Sequence, residues 1–341
     1  MNFIIPISLV DSPQHSSPGH PENPARFRSI RDELSQHLPG KIQWLEPEPI
    51  QPDMLTTVHP ESYVRFIERR AENGPGIVDY GDTYVTRSSF QDALYAVAAT
   101  LGTLEAILEA SASKGFAIIR PPGHHAASQK AMGFCLFNNI AIASRHAQTM
   151  GLQRVAIVDF DVHHGNGTQD IFYADPDVLY ISTHQSGIFP GIGTENETGY
   201  QEGLGTTINI PFPGGVGDDG FDKTFTAIIQ PALYRFRPDI LLVSAGYDAH
   251  HDDPLAGLQV TGKGYFEITQ KLVGYANELC EGRMMMVLEG GYNPEALSSS
   301  IRNSCLALAG MNLPETAGTG VRFSEPDIQE SLQNIRRIHS L

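Results

Sequence analysis

The sequence predicts an α/β fold: one domain over residues 1–341, built on an open, mostly parallel β-sheet with helices on both faces. Three observations carry this. Continuous apolar runs such as Val155-Ala-Ile-Val158 and Ile240-Leu-Leu-Val243 read as strands buried on both faces. They alternate with longer segments of helical pattern, as right-handed crossovers between parallel strands require. Several of the runs end in turns that carry ionisable residues, and open parallel sheets place their chemistry at the carboxyl ends of strands.

Strands are expected near 3–10, 115–119, 154–160, 178–183, 204–210, 239–245 and 284–289. Helices are expected over 24–37, 60–72, 88–112, 138–150, 218–236, 262–281, 294–309 and 325–338. The third of these starts at Ser88 or Ser89, residue types that cap helix N-termini. Its Leu94, Val97, Leu101, Leu104 and Leu108 recur at helical spacing and form a core stripe. No repeat, low-complexity tract or long linker divides the chain.

Composition narrows the function. The net charge of −16 repels phosphate backbones, which excludes nucleic acid as a partner and favours cationic substrates or simple solubility. No apolar run approaches the roughly 20 residues of a membrane span, so no membrane partner is expected. Residues 3–10 are apolar but lack a basic flank and a small-residue cleavage site, and they read as the first strand. The three cysteines, Cys135, Cys280 and Cys305, are odd in number and far apart. That disfavours a disulfide framework and fits a cytoplasmic, reducing compartment.

The chemistry concentrates after the strand at Val155–Val158, in Asp159-Phe-Asp161-Val-His163-His164-Gly165-Asn166-Gly167. Asp161 and His163 are two apart and point the same way in extended chain. With Asp248, at the end of the strand Ile240–Ala245, they offer one nitrogen and two oxygens to a divalent metal. That donor set, with a position left for water, suits catalytic zinc, and its oxygen-rich character also suits iron or manganese. His124-His125 follows Arg120-Pro-Pro-Gly123. Two adjacent histidines beside an activated water can divide proton transfer between them. Each needs a partner on its other ring nitrogen, and Asp159 and Asn166 are placed to serve. An aspartate partner favours imidazolium and an asparagine does not, so the two rings should differ in pKa. Tyr292 follows Gly290-Gly291, where a phenol on a flexible loop can meet a developing oxyanion.

Gly215-Val-Gly217-Asp-Asp-Gly220 matches a dinucleotide-binding pattern but reads as a decoy. Pro211 and Pro213 separate it from a tight strand-to-helix turn, and Asp218 and Asp219 would repel a pyrophosphate.

Taken together, these segments resemble the histone deacetylase and acetylpolyamine amidohydrolase family of the arginase–deacetylase fold group. The matching stretches are Gly19-His-Pro-Glu-Asn-Pro-Ala-Arg26, Arg120-Pro-Pro-Gly-His-His-Ala126, Gly133-Phe-Cys-Leu-Phe-Asn-Asn139, Asp159 to Gln169, Phe189-Pro-Gly191, Ser244-Ala-Gly-Tyr-Asp248 and Leu288-Glu-Gly-Gly-Tyr-Asn293. Asn166 and the Glu-Gly-Gly-Tyr form resemble the class II branch and its bacterial relatives. The resemblance implies one catalytic Zn2+ on Asp161, His163 and Asp248, and structural K+ near Asp159, Asp161, His163 and Ser182. It implies His125 as general base and acid, His124 backed by Asp159 as its electrostatic partner, and Tyr292 as the donor that polarises an acetyl carbonyl. It further implies a channel walled by Phe134 and Phe189, with Gly133 contacting the acylated nitrogen and Asp82 as a rim acid that grips substrate backbone.

The implied activity is zinc-dependent hydrolysis of N-acetylated aliphatic amines. Acetyl-lysine in peptides or proteins is favoured over acetylpolyamines, because polyamine-selective relatives carry an acid where this chain has Leu255. Asp252, Asp253 or Glu22 could still supply that charge. An arginase-like ureohydrolase would need a two-metal site with more bridging carboxylates. A reader that binds acyl-lysine without turnover would not need Tyr292. The oligomeric state is not legible.

Overall fold

The computed structural model describes residues 4–109, 114–313 and 323–341. Ten strands are present among them: β1 Ile5–Val10, β2 Ile42–Leu45, β3 Gly76–Ile77, β4 Tyr84–Val85, β5 Lys114–Ile119, β6 Val155–Asp159, β7 Val178–Gln185, β8 Thr207–Phe212, β9 Ile240–Ala245 and β10 Met284–Leu288. The α-helices are α1 Ile30–His37, α2 Glu61–Glu72, α3 Ser89–Glu109, α4 Asn139–Thr149, α5 Asn166–Phe172, α6 Asp218–Thr224, α7 Gln230–Phe236, α8 Gly262–Leu279, α9 Pro294–Leu308 and α10 Gln329–His339. Eight strands form one sheet in the order β2-β1-β5-β10-β9-β6-β7-β8, and every neighbouring pair is parallel. β3 and β4 make a small antiparallel hairpin beside it.

The apolar runs are continuous because the sheet is covered twice. Ala156 and Val158 of β6 join a core with α1, α8, α9 and α10. Val155 and Ile157 join a second core with α2, α3 and α4 on the opposite face. Successive strand residues face opposite sides, so a strand with both faces packed must be apolar throughout. The last strands in sequence, β9 and β10, insert between β5 and β6. This brings the loops after β5, β6, β9 and β10 together at the middle of the carboxyl edge.

The departures from the expected elements have local causes. Strand β8 begins at Thr207, later than expected, and runs through Pro211; as an edge strand it tolerates a residue that cannot donate to the ladder. The helix expected over 218–236 is broken by a π-helical segment, Phe225–Ile229, just before Pro231, whose ring and missing N–H disfavour regular α-helix. The helix expected from residue 24 is a 3-10 turn, Pro24–Phe27, followed by α1. The short edge strand β2 and the helix α5 were not expected. Residue 3 of the first strand and residues 110–112 of the third helix lie outside the described residues.

Candidate metal centre and active site

Asp161, His163 and Asp248 meet where β6 and β9 end. Their donor atoms lie within 4.8 Å of one another. His163 Nδ1 is 3.3 Å from Asp161 Oδ1 and 3.1 Å from Asp248 Oδ2. Tetrahedral zinc with bonds near 2.0–2.2 Å sets its ligands about 3.3–3.6 Å apart, so the spacing suits one small ion. The backbone is built close around these carboxylates. Gly290 N donates to Asp161 Oδ2 at 2.8 Å, and a Cβ at Gly290 would come within 2.1 Å of Asp248 Oδ2. The pocket favours a cation electrostatically. Burial disfavours the His163 imidazolium, yet the carboxylates of Asp161 and Asp248 outweigh it and raise its pKa to about 10. Burial and the Asp161 charge push Asp248 up to about 7. His250, His251 and Asp252 form a second cluster with donor atoms within 4.8 Å, but Asp252 is exposed and His250 Nδ1 already accepts the Asp252 N–H at 3.1 Å.

The two histidines after β5 stand beside this centre with their rings 4.0 Å apart. His124 Nδ1 donates to Asp159 Oδ2 at 3.1 Å, and the Tyr180 hydroxyl donates to the same oxygen at 3.0 Å. Burial works against the His124 imidazolium, but Asp159, Asp161 and Glu289 outweigh it and hold its pKa at about 10. His125 Nδ1 faces Asn166 Oδ1 at 2.8 Å, while Asn166 Nδ2 faces the His125 carbonyl. That arrangement leaves the proton on Nδ1 and a lone pair on Nε2. Burial, with His124 and His163 nearby, holds His125 well below the ordinary histidine value. The aspartate and asparagine partners, with their surroundings, thus push the two rings in opposite directions.

A cavity of about 260 Å³ opens from these groups to the surface. It is lined by Pro21, Asp82, His125, Gly133, Phe134, His163, Phe189, Leu255 and Tyr292, so every expected channel residue borders it. Phe189 packs edge-on against His125, and Phe134 edge-on against Tyr292. Gly133 must be glycine, since its φ is +54° and a Cβ would lie 2.3 Å from the His125 ring. Phe134 follows at φ +70°, a strained conformation for a bulky residue. Its N–H donates to Thr83 Oγ1 at 3.1 Å, and Thr83 O–H donates to Asp79 Oδ2 at 2.6 Å, tying the channel wall to the loop of Asp82.

Tyr292 is held by Arg26, to which the sequence assigns no role of its own, and by Asp253, weighed from sequence only as a charge at the mouth. The Arg26 guanidinium lies 4.9 Å from its ring centroid and donates to the carbonyls of Gly291 at 2.7 Å and Glu289 at 2.6 Å. Tyr292 N donates to Asp253 Oδ2 at 2.6 Å. Burial pushes the phenol well above its ordinary pKa, so it stays protonated. Arg26 is in turn fixed by Glu22, which also receives Arg120 at 2.6 Å and 2.8 Å. Burial opposes the Glu22 charge, but Arg120 and Arg26 outweigh it and hold its pKa at about 2. The Glu22 charge is therefore met by two guanidiniums, and the Asp253 carboxylate is held by main-chain N–H groups. Glu22 and Arg26 pair at i,i+4 within one motif, while Arg120, Gly291 and Asp253 reach their partners from distant parts of the sequence.

Gly217 N, Asp219 N and Gly220 N all donate to Glu325, so the chain's own carboxylate fills the glycine-rich decoy. The three cysteines are free and buried. No helix among the described residues is long and apolar enough to cross a membrane.

A parallel sheet with this crossover order, carrying an Asp-His-Asp set and a paired-histidine loop at its carboxyl edge, defines a hydrolase of the arginase–deacetylase fold. Comparison with known proteins gives the family. Residues 20–308 match the histone deacetylase domain. The chain is 42% identical over 356 residues to histone deacetylase 10, chloroplastic, of Oryza sativa subsp. japonica, covering 96% of this chain and 79% of that one. It is 38% identical over 338 residues to a probable deacetylase of Archaeoglobus fulgidus, covering 95% and 94%. A crystal structure of the HDA15 HD domain superposes with a TM-score of 0.89 at 34% identity, covering 99% of this chain and 95% of that one. The chain belongs to the histone deacetylase family.

Proposed function

We propose that this protein is a zinc-dependent amidohydrolase that removes acetyl groups from N-acetylated aliphatic amines, with acetyl-lysine in peptides or proteins as the favoured substrate. One observation carries the reading: His125, hydrogen-bonded to Asn166, and His163 of the Asp161–His163–Asp248 donor set line one cavity together with Phe134, Phe189 and Tyr292.

Asp161, His163 and Asp248 would hold the zinc. Bound there, it supplies Lewis acidity to a carbonyl or a water. Phe134 and Phe189 enclose a slim uncharged arm and exclude water from it. Gly133 contacts the acylated nitrogen. His125 Nε2 takes a proton from the attacking water and returns it to the leaving amine, which must be protonated to depart. His124, held as imidazolium by Asp159, keeps positive charge beside the reacting atoms. The Tyr292 hydroxyl donates to the acyl oxygen as negative charge develops on it. Asp82 accepts from substrate backbone at the rim, and Leu255 gives the mouth an apolar side with no charge for an internal ammonium. Asp159, Asp161, His163 and Ser182 would hold a structural potassium ion; β6–β7 pairing sets Ser182 directly across from Asp159, and oxygen donors suit a hard cation. Free, buried cysteines fit a reducing, cytoplasmic setting.

The test is acetate release by the zinc-loaded protein from acetyl-lysine peptides, acetylpolyamines and small acylamides at one ionic strength. Turnover with highest kcat/KM on the peptides is expected. Binding of acetylated peptides without acetate release from any substrate would overturn the assignment.

A further inference from the structure

Glu289 directly follows β10 at 0% exposure, and beyond adding negative charge near His124 its carboxylate has no part in the steps above. β10 lies between β5, whose following loop carries His124 and His125, and β9, which leads to Asp248. The carboxylate spans that gap. Oε2 accepts the main-chain N–H of Gly123 at 2.7 Å and of His124 at 3.1 Å. Oε1 accepts the Ser244 hydroxyl of β9 at 3.0 Å. The neighbouring Gly290 N–H reaches Asp161. The Glu289 carbonyl is taken by Arg26, so the backbone that aims the carboxylate is itself fixed.

A proton-transfer group and the centre it serves must keep their separation closely, and a misplacement of about 1 Å can cost about 10²-fold in rate. Here the two are delivered by strands that are not neighbours. Nothing in the pairing of β5 with β10 sets the height of the histidine loop, because the ladder ends before Arg120. The side chains are tied to the β6 end through Asp159 and Asn166, and the hydrogen bonds to Glu289 fix the loop's main chain from the intervening strand.

We propose that Glu289 is the positioning residue that sets the His124–His125 loop against the Asp161–His163–Asp248 centre. The inference rests on the proton-transfer role proposed for His125.

Two variants separate anchoring from burial. In Glu289→Gln the amide oxygen can accept both N–H groups, so the two loop contacts survive, while the Ser244 contact reverses, the amide nitrogen donating to Ser244 Oγ. Glu289→Met keeps the length and loses every acceptor. In the zinc-loaded enzyme Glu289→Gln should keep kcat within about fivefold of wild type, while Glu289→Met should lose about 10²-fold in kcat with KM within about twofold. Metal content per chain should match wild type in both. Amide hydrogen exchange at Gly123 and His124, measured on metal-free protein, should be fast in Glu289→Met and protected in wild type and Glu289→Gln. Near wild-type kcat or unchanged exchange in Glu289→Met overturns the proposal. So does a Glu289→Gln enzyme slowed by about 10²-fold or unprotected at Gly123 and His124, and that arm decides if the methionine variant fails to fold. If the wild type hydrolyses no acetylated amine, the functional reading fails, and the exchange experiment still decides the anchoring.

Discussion

His163 Nδ1 and Asp248 Oδ2 lie 3.1 Å apart although 85 residues separate them in sequence. β6 and β9 are adjacent and in register, with Asp159 opposite Ser244, so the turns beyond them meet. A largely buried imidazole facing two buried carboxylates is a donor set suited to a cation. Asp248→Ala should remove zinc and activity together while the fold persists. Elemental analysis of the purified variant checks this, and full zinc occupancy would show the ligand set to be wrong.

Tyr292 and His125 are expected to act on the chemical step. Removal of one oxyanion donor costs about 10²–10³ in turnover, so Tyr292→Phe should lower kcat far more than it raises KM. His125→Ala should be at least as damaging, because among the described residues the only other imidazole lining the cavity is His163, which faces Asp161 and Asp248. Steady-state kinetics decide it; a Tyr292→Phe enzyme with wild-type kcat would contradict the mechanism.

Selectivity should follow the mouth. Leu255 is 38% exposed, and the nearby Asp253 is committed to the N–H groups of Tyr292 and Leu255. On the Leu255 side of the mouth an internal ammonium would meet only apolar contact. Acetyl-lysine peptides should therefore exceed acetylspermidine and acetylputrescine in kcat/KM. Leu255→Glu should shift the ratio toward the polyamines by tenfold or more, about 1.4 kcal/mol. A wild-type preference for polyamines of that size would reverse the choice of substrate.

Cys135 should react slowly in the native state. It is fully buried under Gly133, whose carbonyl takes its thiol at 3.3 Å, and burial pushes the thiol well above its ordinary pKa. Both access and thiolate content are low. Labelling with a maleimide before and after unfolding, followed by peptide mapping, tests this; rapid native labelling at Cys135 would contradict the placement.

Acid should destabilise the fold partly through His59. Its Nε2 accepts the Asn138 N–H at 2.9 Å and its Nδ1 donates to Ser128 O at 3.0 Å, an arrangement open only to the neutral ring. Burial lowers its pKa from 6.5 to about 4. Because the folded value lies below the unfolded one, the unfolded chain binds more protons between them. The stabilisation is complete above pH 6.5 and is lost as pH falls toward 4, by roughly 3 kcal/mol over the whole interval. His59→Gln can keep both hydrogen bonds and cannot titrate. Urea unfolding at several pH values should show a shallower pH dependence in the variant; identical slopes would remove His59 from the account.

The strands were legible because β5, β6, β9 and β10 are covered on both faces, which forces unbroken apolar runs of a kind few other environments demand. The short strand β2, Ile42-Gln-Trp-Leu45, was not legible, since it is only partly buried and sits at the sheet edge. Helix α5 was hidden inside the Gly-Asn-Gly stretch, whose composition signals a turn. Leu255 and Asp82 were readable as mouth residues only through the family resemblance, since neither has a local pattern.

The sequence by itself determined the layered α/β architecture, the Asp161-x-His163 pair, the paired histidines with unlike partners, and the phenol after two glycines. Each is a local pattern, set by a two-residue strand period or by a turn at a strand end. The tertiary structure alone decided that β9 and β10 insert between β5 and β6, which joins Asp248 to His163 and sets Glu289 between the two halves of the site. It also decided that Glu22 is buried beneath Arg120 and Arg26 and that Glu325 fills the glycine-rich turn. Those outcomes depend on which distant groups satisfy one another's charge and hydrogen bonds once water is excluded, and no local pattern carries that information.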